Sequence, residues 1–207
     1  MTTVFVDVDS QLDFLYPAGA LYVPHAERII PAVARLNGYA AANRIPVVST
    51  VDAHAENDPE FQVWPHHCVA GTWGQRKAAA TLLPNRVVIP NRDVAIDVAP
   101  QIIVEKQTVD VFQAPNLARV IERLKADRFV VYGVVTEICV LYAVRGLVKF
   151  GKPVTVVTDA IETLSEENGR NALDEACSLG TGLATSGEIC SNPPIRVWCT
   201  APSRSRL

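Results

Sequence analysis

Apolar runs rich in β-branched residues alternate along the chain with longer segments of helical periodicity. The runs contain few polar positions, which is typical of parallel strands that helices cover on both faces. They predict strands at 3–8, 46–51, 102–105, 129–133 and 154–158. The intervening segments predict helices at 30–43, 116–126, 137–150 and 166–179, and a glycine follows each of the last two.

This alternation predicts an α/β fold, a three-layer αβα sandwich around a mainly parallel, Rossmann-like sheet. The length of 207 residues and the hydrophobic content of 49% fit one domain with a substantial core. We expect that domain to span residues 1–190. The pattern breaks at Asn192-Pro193-Pro194 and the chain ends in polar and basic residues, so we interpret residues 191–207 as a C-terminal extension.

Charge and composition narrow the range of partners. A net charge of −3, without a Lys/Arg cluster interleaved with aromatic residues, argues against nucleic acid. The chain starts with a strand and no stretch reaches the length of a membrane span, so we expect no membrane partner and a cytoplasmic location. The five cysteines lack paired metal-type spacing, which suits a reducing compartment better than a disulfide framework. Whether the chain forms a homo-oligomer stays open.

The segment 136–139 (Thr-Glu-Ile-Cys) lies between an apolar run and a helical pattern, which places Cys139 at a strand-to-helix turn. Unpaired backbone N–H groups and the helix dipole at such a turn would lower the pKa of a thiol. Cys139 is therefore a candidate nucleophile. The alternative is a small buried hydrophobe, which is the common environment of a free cysteine.

Two further strand ends carry charged residues. Asp9 and Asp13 follow the first predicted strand, where one of them is a candidate general base and either could instead cap the following turn. Lys106 directly follows the predicted strand 102–105. It either extends to solvent or lies beside Cys139, where its charge would favour the thiolate.

A metal-type set follows the second predicted strand. Asp52 and His54 are two residues apart, so in an extended segment their side chains point the same way. His67, from the segment 64–68 (Trp-Pro-His-His-Cys), would complete a three-ligand set with open positions for water or substrate. Mixed Asp/His ligation suits Zn²⁺, Fe²⁺ or Mn²⁺. The alternative for each histidine is a loop residue with local hydrogen bonds.

Taken in order, these four loops resemble the isochorismatase-like cysteine hydrolases, and most closely their metal-dependent nicotinamidase/pyrazinamidase branch. The resemblance covers roughly residues 3 to 188. Residues 9–14 (Asp-Ser-Gln-Leu-Asp-Phe) are similar to that family's opening motif, and residues 64–72 (Trp-Pro-His-His-Cys-Val-Ala-Gly-Thr) to its metal-loop signature. The resemblance implies a catalytic triad and a divalent metal ion. The implied triad is Asp9, Lys106 and Cys139, and the implied metal ligands are Asp52, His54 and His67.

The implied activity is hydrolysis of a small amide, nicotinamide or pyrazinamide, through a thioester on Cys139. The resemblance also implies a cis peptide bond between Val134 and Val135, with the N–H groups of Val135 and Cys139 holding the oxyanion. Phe14 and Trp64 would enclose the substrate ring. The metal ion of this family binds the ring nitrogen rather than activating the nucleophile.

Two departures from the family pattern concern the substrate. Residues 110–115 (Asp-Val-Phe-Gln-Ala-Pro) replace the usual Asp-x-Tyr-Ser-x-Phe, and the stretch after His54 offers only Glu56 and Asp58 where relatives supply another histidine. One alternative is therefore an enzyme acting on another small amide, a ureido or a carbamoyl compound. The other is a small-molecule binding protein without catalysis. Cys139 argues against the vinyl-ether hydrolysis of true isochorismatases, which lack this cysteine.

Overall fold

Seven strands pair into one parallel sheet within residues 2–191, the part of the chain that the computed structural model describes. The predicted parallel α/β sandwich is confirmed. The strands are β1 (Thr3–Val8), β2 (Val47–Asp52), β3 (Arg86–Ile89), β4 (Gln101–Lys106), β5 (Arg128–Gly133), β6 (Val154–Ile161) and β7 (Gly182–Ala184).

The strand order is β3-β4-β2-β1-β5-β6-β7. From β1 the chain builds one half of the sheet through β2, β3 and β4, and then returns to the other side of β1 with β5. Without the edge strand β3, this is the doubly wound order of a dinucleotide-binding sheet. Loops on either side of the β1/β5 boundary diverge, so a crevice opens at the carboxyl ends of these two strands.

Five strands match the predicted ones, and the two that the sequence did not reveal are the edges of the sheet, β3 and β7. Val88 of β3 is 53% exposed, so this strand lacks the continuous apolar pattern of its buried neighbours. The strand β7 has three residues, two of which are glycine and alanine, types that are depleted in strands. Short edge strands limit unwanted pairing with other chains.

All four predicted helices are present, with one altered start. The helices are α1 (Leu12–Leu15), α2 (Ile30–Ala42), α3 (Leu117–Leu124), α4 (Leu141–Val148), α5 (Glu166–Ser178) and α6 (Ser186–Ser191). The predicted helix 137–150 begins instead with one turn of π-helix, Thr136–Val140, which leads into α4. Such single turns of π-helix occur frequently at functional sites.

Helices cover both faces of the sheet, and β1 supplies side chains to both cores. Val4, Val6 and Val8 pack with α3, α4 and α5 on one face. Phe5 packs with α1 and α2 on the other. This alternation follows from the two-residue repeat of a strand.

The next β1 residue on the Phe5 side is charged. Asp7 is fully buried, pairs with Lys77 at 3.0 Å, and accepts hydrogen bonds from Ser10 at 2.7 Å and Asn37 at 3.0 Å. Removing one partner of a buried ion pair typically costs about 3–5 kcal/mol. The network therefore fixes the turn that leaves β1.

Four cysteines and the end of the predicted domain lie within the described residues. Cys68, Cys139 and Cys190 carry free thiols, and Cys177 is disulfide-bonded. The predicted domain end at residue 190 falls within α6, and the predicted extension beyond residue 191 lies outside the described residues. No helix within residues 2–191 is both long and apolar enough to cross a bilayer.

Replacing Gly146 of α4 with alanine should destabilise the fold. A Cβ there would lie 2.0 Å from the ring of Phe112, which docks the loop after β4 onto this helix. Overpacking of this kind typically costs about 1–3 kcal/mol of unfolding free energy. Gly38 of α2 is the matched control, because its Cβ would meet no atom within 4 Å and Gly38→Ala should gain about 0.5–1 kcal/mol. Urea unfolding at equilibrium measures both, and equal midpoints would show that Phe112 moves aside without cost.

Candidate active site

The carboxyl ends of four adjacent strands bring four predicted site residues together. Asp9 follows β1, Asp52 ends β2, Lys106 ends β4, and Cys139 lies in the π-helical turn after β5. All four are buried. Because parallel strands present their carboxyl ends at one edge, residues far apart in sequence meet here.

Lys106 is the centre of this group. Its side chain is fully buried, and Nζ lies 2.9 Å from Asp9 Oδ2 and 3.8 Å from Cys139 Sγ, and also donates to Asp52 Oδ1. Burial by itself would lower the pKa of this ammonium group, but Asp52, Asp9 and Cys139 together outweigh it and raise the pKa well above its ordinary value. Lys106 therefore carries a permanent charge inside the site and does not extend to solvent.

A tight turn aims the carboxylate of Asp9. Its backbone adopts the left-handed region, with φ at 47°, and its N–H donates to the carbonyl of Thr50 at 3.2 Å. The Thr50 hydroxyl donates to Oδ1 at 2.6 Å. The second oxygen, Oδ2, contacts Lys106 but receives no aligned hydrogen bond from the described residues. One lone pair is thus left for the thiol of Cys139.

The expectation of a lowered pKa for Cys139 is wrong. Burial raises the pKa of this thiol well above its usual value, Asp9 and Asp52 raise it further, and only Lys106 opposes them. Cys139 is therefore protonated at rest, and a base beside it is needed to make the thiolate.

The backbone at the end of β5 approaches β1 closely. Gly133 has a φ of +121°, and a Cβ there would lie 1.9 Å from the carbonyl oxygen of Val8. Only glycine fits this position. The following Val134–Val135 peptide bond is cis, and the N–H of Val134 donates to Val8 O at 3.0 Å. Both valines lie on the wall of the cavity that contains Cys139.

The predicted metal ligands also meet. Ligand atoms of Asp52, His54 and His67 all lie within 4.8 Å of one another, and all three residues are buried. His54 Nδ1 lies 3.0 Å from Asp58 Oδ2, and His67 Nδ1 lies 2.7 Å from the carbonyl oxygen of Pro65. These acceptors favour the tautomer with a proton on Nδ1 and a free lone pair on Nε2.

The chemistry of this set fits a divalent cation. His54 Nε2 is buried without a hydrogen-bond partner among the described residues, which is unusual for a buried nitrogen. Burial lowers the pKa of His67, so its imidazole is neutral and able to bind a metal ion. A cation at this point would satisfy His54 Nε2 and balance the buried carboxylate of Asp52.

Several supporting residues were not identified from the sequence. Gln11 clamps the backbone of Asp52, since its Nε2 donates to Asp52 O at 2.8 Å and its Oε1 accepts from Asp52 N at 2.7 Å. Asp13, weighed only as a base or a cap, accepts from Cys68 N at 2.7 Å and so holds the chain next to His67. Asp58, noted only where another histidine is usual, orients His54.

An apolar cavity leads to Cys139 and to the metal-type set. Its walls include Phe14, Leu21, Trp64, Ile138 and Leu164, and the polar side chains reaching it are Asp52, Glu60, His67 and Cys139. Both predicted ring-contacting aromatics thus line it. Glu60 was also missed, and its pKa is raised by burial and by the nearby charge of Asp52. In the loop after Lys106, Val109 faces the cavity, whereas Phe112 of the altered segment 110–115 packs against Phe150, with ring centroids 6.0 Å apart.

Comparison with known proteins agrees with this geometry. The model of the isochorismatase domain family matches residues 3–188. The nicotinamidase of Saccharomyces cerevisiae is 23% identical over 198 residues, which cover 81% of this chain and 90% of that protein. These matches confirm the resemblance identified from the motifs.

Solved structures share the fold. The pyrazinamidase of Pyrococcus horikoshii in complex with zinc is 28% identical, with a TM-score of 0.76, and covers 89% of this chain and 99% of that chain. The N-carbamoylsarcosine amidase of Thermoplasma acidophilum is 22% identical, with a TM-score of 0.74 over 91% of this chain and 98% of that chain. At that identity the second match shows the fold alone.

Protein purified without added metal should contain near-stoichiometric Zn, Fe or Mn, and His54→Ala and His67→Ala should each lose most of it. Each substitution removes one of three ligands. Elemental analysis of the purified variants measures the content. The exposed neighbour His66 is the control, and His66→Ala should retain the metal. Full metal content in both ligand variants would place the site elsewhere.

The carboxylate of Asp58, which contacts Nδ1 of His54, should also affect metal affinity. Asp58→Asn can still accept the N–H of Glu60 but replaces the carboxylate that orients the imidazole. Loss of such a partner typically weakens metal affinity about 10–100-fold, which competition with a chelator measures. Glu56→Gln, at an exposed position nearby, should leave the affinity unchanged. Equal affinities for the two variants would contradict the proposed role of Asp58.

Proposed function

Because the chain belongs to the isochorismatase family, we propose that it is a metal-dependent amidohydrolase that converts nicotinamide or pyrazinamide to the carboxylic acid and ammonia through a cysteine thioester. One observation carries the proposal. A buried lysine contacts both a carboxylate and a thiol, at 2.9 and 3.8 Å, beside a three-ligand metal-type set that faces the same apolar cavity. This arrangement supports the assignment of a nucleophile, its base and a ring-binding pocket to one site.

Asp9 is the proposed general base. It takes the thiol proton of Cys139 as the sulfur attacks the carboxamide carbon, which forms the tetrahedral intermediate. The proton then passes to the leaving nitrogen, the C–N bond breaks, and ammonia departs from the thioester. Asp9 next takes a proton from water, the hydroxyl adds to the thioester carbon, and the acid leaves with the thiol restored.

Lys106 keeps its charge throughout this cycle. It orients Asp9 and stabilises the thiolate that burial would otherwise disfavour. The N–H groups of Val135 and Cys139 are proposed to stabilise the oxyanion of the tetrahedral intermediates. Fixed donors in a buried site are effective because they need little reorganisation during the reaction.

Asp52, His54 and His67 are proposed to hold a divalent Zn, Fe or Mn ion. When bound, such an ion offers a Lewis-acid position to the ring nitrogen of the substrate. Phe14 and Trp64 would enclose the ring. The zinc in the pyrazinamidase structure from Pyrococcus horikoshii supports the metal, and the Saccharomyces cerevisiae nicotinamidase supports the substrate class.

A second candidate is hydrolysis of another small amide, a ureido or a carbamoyl compound. The altered segment 110–115 favours it, since none of its residues lines the cavity, which Val109 just before it borders instead. The cavity argues against anionic members of this class, because none of its lining residues within the described chain is a lysine or arginine. Neutral aromatic amides fit it better.

Cys139→Ala should reduce amide hydrolysis by at least about a thousandfold, because it removes the nucleophile. The fold and the metal content should stay as in the wild type, which circular dichroism and elemental analysis check. Release of ammonia from nicotinamide measures the rate. Cys190→Ala removes another free thiol and should leave the rate unchanged. Wild-type activity in Cys139→Ala would refute the thioester mechanism.

Nicotinamide should be hydrolysed much faster than benzamide, which has the same shape but lacks the ring nitrogen. The metal-depleted protein should lose most of this preference together with its activity. Steady-state kinetics on the two amides, before and after chelation and readdition of metal, provide the measurement. Equal rates on both would refute ring coordination, and hydrolysis of neither would favour the ureido or carbamoyl alternative.

A further inference from the structure

We propose that Leu164 limits the size of the ring that the cavity accepts, and that Glu137 is the positioning residue that holds Leu164 in the wall of the cavity. The choice of substrates used to test this rests on the proposed function. The wall itself is a structural property of the cavity and can be tested separately.

Leu164 belongs to the loop between β6 and α5. Its side chain is 38% exposed and lines the cavity that also contains Ile138 and Cys139. No helix or strand includes it, since β6 ends at Ile161 and α5 begins at Glu166. The position of this part of the wall therefore depends on contacts made by the loop.

The carboxylate of Glu137 supplies such contacts. It accepts hydrogen bonds from the Thr163 hydroxyl at 2.6 Å, from Leu164 N at 3.0 Å and from Ser165 N at 3.4 Å. Glu137 lies two residues before Cys139 in the same π-helical turn. One side chain thus connects the turn that carries Cys139 to the loop that carries Leu164.

Thr136 strengthens the same attachment. Its backbone N–H and its hydroxyl both donate to the carbonyl oxygen of Glu162, at 2.8 and 2.7 Å. The segment 162–165 is therefore bound to the turn that carries Cys139. A substrate that touches Leu164 is positioned relative to the sulfur, and displacement by about 1 Å can cost a hundredfold in rate.

The chemistry of the wall indicates what it selects. The side chain of Leu164 has no hydrogen-bonding group, so it discriminates between substrates only by their size. One methylene in an apolar pocket changes selectivity about 10–200-fold. Shortening Leu164 should thus admit a ring substituent that the wild-type cavity excludes, and releasing the loop from Glu137 should act in the same direction.

The kinetic test compares nicotinamide with 5-methyl- and 6-methylnicotinamide. Leu164→Ala should raise the ratio of kcat/KM for the methylated rings to that for nicotinamide by about tenfold for at least one of them. Glu137→Ala should raise the same ratio, mainly through KM. The Glu137→Gln variant should keep the wild-type ratio of kcat/KM values. Its amide oxygen can accept the backbone N–H groups, and its amide nitrogen can donate to the hydroxyl of Thr163. Leu179→Ala, at an exposed position after α5, is the control.

Alkylation of Cys139 provides a readout that needs no hydrolysis. Mass spectrometry follows its reaction with iodoacetamide and with the bulkier N-phenyl iodoacetamide. Leu164→Ala and Glu137→Ala should raise the relative rate for the phenyl reagent, and Glu137→Gln should not. If the wild type hydrolyses none of the three nicotinamides, the proposed function fails while this ratio still tests the wall. An unchanged alkylation ratio in both alanine variants would overturn the proposal.

Discussion

A single buried ammonium group organises the site. Lys106 and Asp52 are register partners on neighbouring parallel strands, and Asp9 extends from the next strand toward the same nitrogen. Two carboxylates and a thiol can be buried together only because this charge lies among them. Without it the two acids would repel each other across the carboxyl ends of two neighbouring strands. The positions of Cys139, Asp9 and Asp52, the proposed nucleophile, base and first metal ligand, therefore all depend on one lysine.

Two buried aspartate–lysine pairs lie at the carboxyl end of β1, and they differ in the hydrogen bonds that the aspartate accepts. Asp7 pairs with Lys77 and also accepts hydrogen bonds from Ser10 and Asn37, so both of its carboxylate oxygens have hydrogen-bond partners. Asp9 pairs with Lys106 but keeps Oδ2 without an aligned hydrogen bond from the described residues. The first pair is a structural network, whereas the second retains an oxygen that can take a proton. The same strand thus provides a fixed anchor and the carboxylate that we propose as the general base.

The metal-type set and Cys139 are supported by separate parts of the chain. Gln11 and Asp13, from the β1 exit, hold the backbone beside Asp52 and His67. Glu137 attaches the turn of Cys139 to the loop that precedes α5. Side chains on loops are usually positioned less precisely than those on helices and strands. Here, hydrogen bonds between polar side chains and the loop backbone hold the loops in place. The walls of the cavity between them are mostly apolar, and the polar side chains that reach it are those of Asp52, Glu60, His67 and Cys139.

The sequence by itself determined the five long strands, the four helices of the layers and the identity of the acids, histidines, lysine and cysteine at the centre of the site, though not of the residues that support them. Those features depend on local hydrophobic periodicity and on short motifs, which the order of residues records directly. The pKa of Cys139, the clamp by Gln11 and the support of His54 by Asp58 were decided only by the tertiary structure. Burial and the carboxylates at the ends of two other strands, β1 and β2, raise that pKa, although a strand-to-helix turn considered alone predicts the opposite. Gln11 and Asp52 lie 41 residues apart, and their contact exists only because β1 and β2 pair in this register.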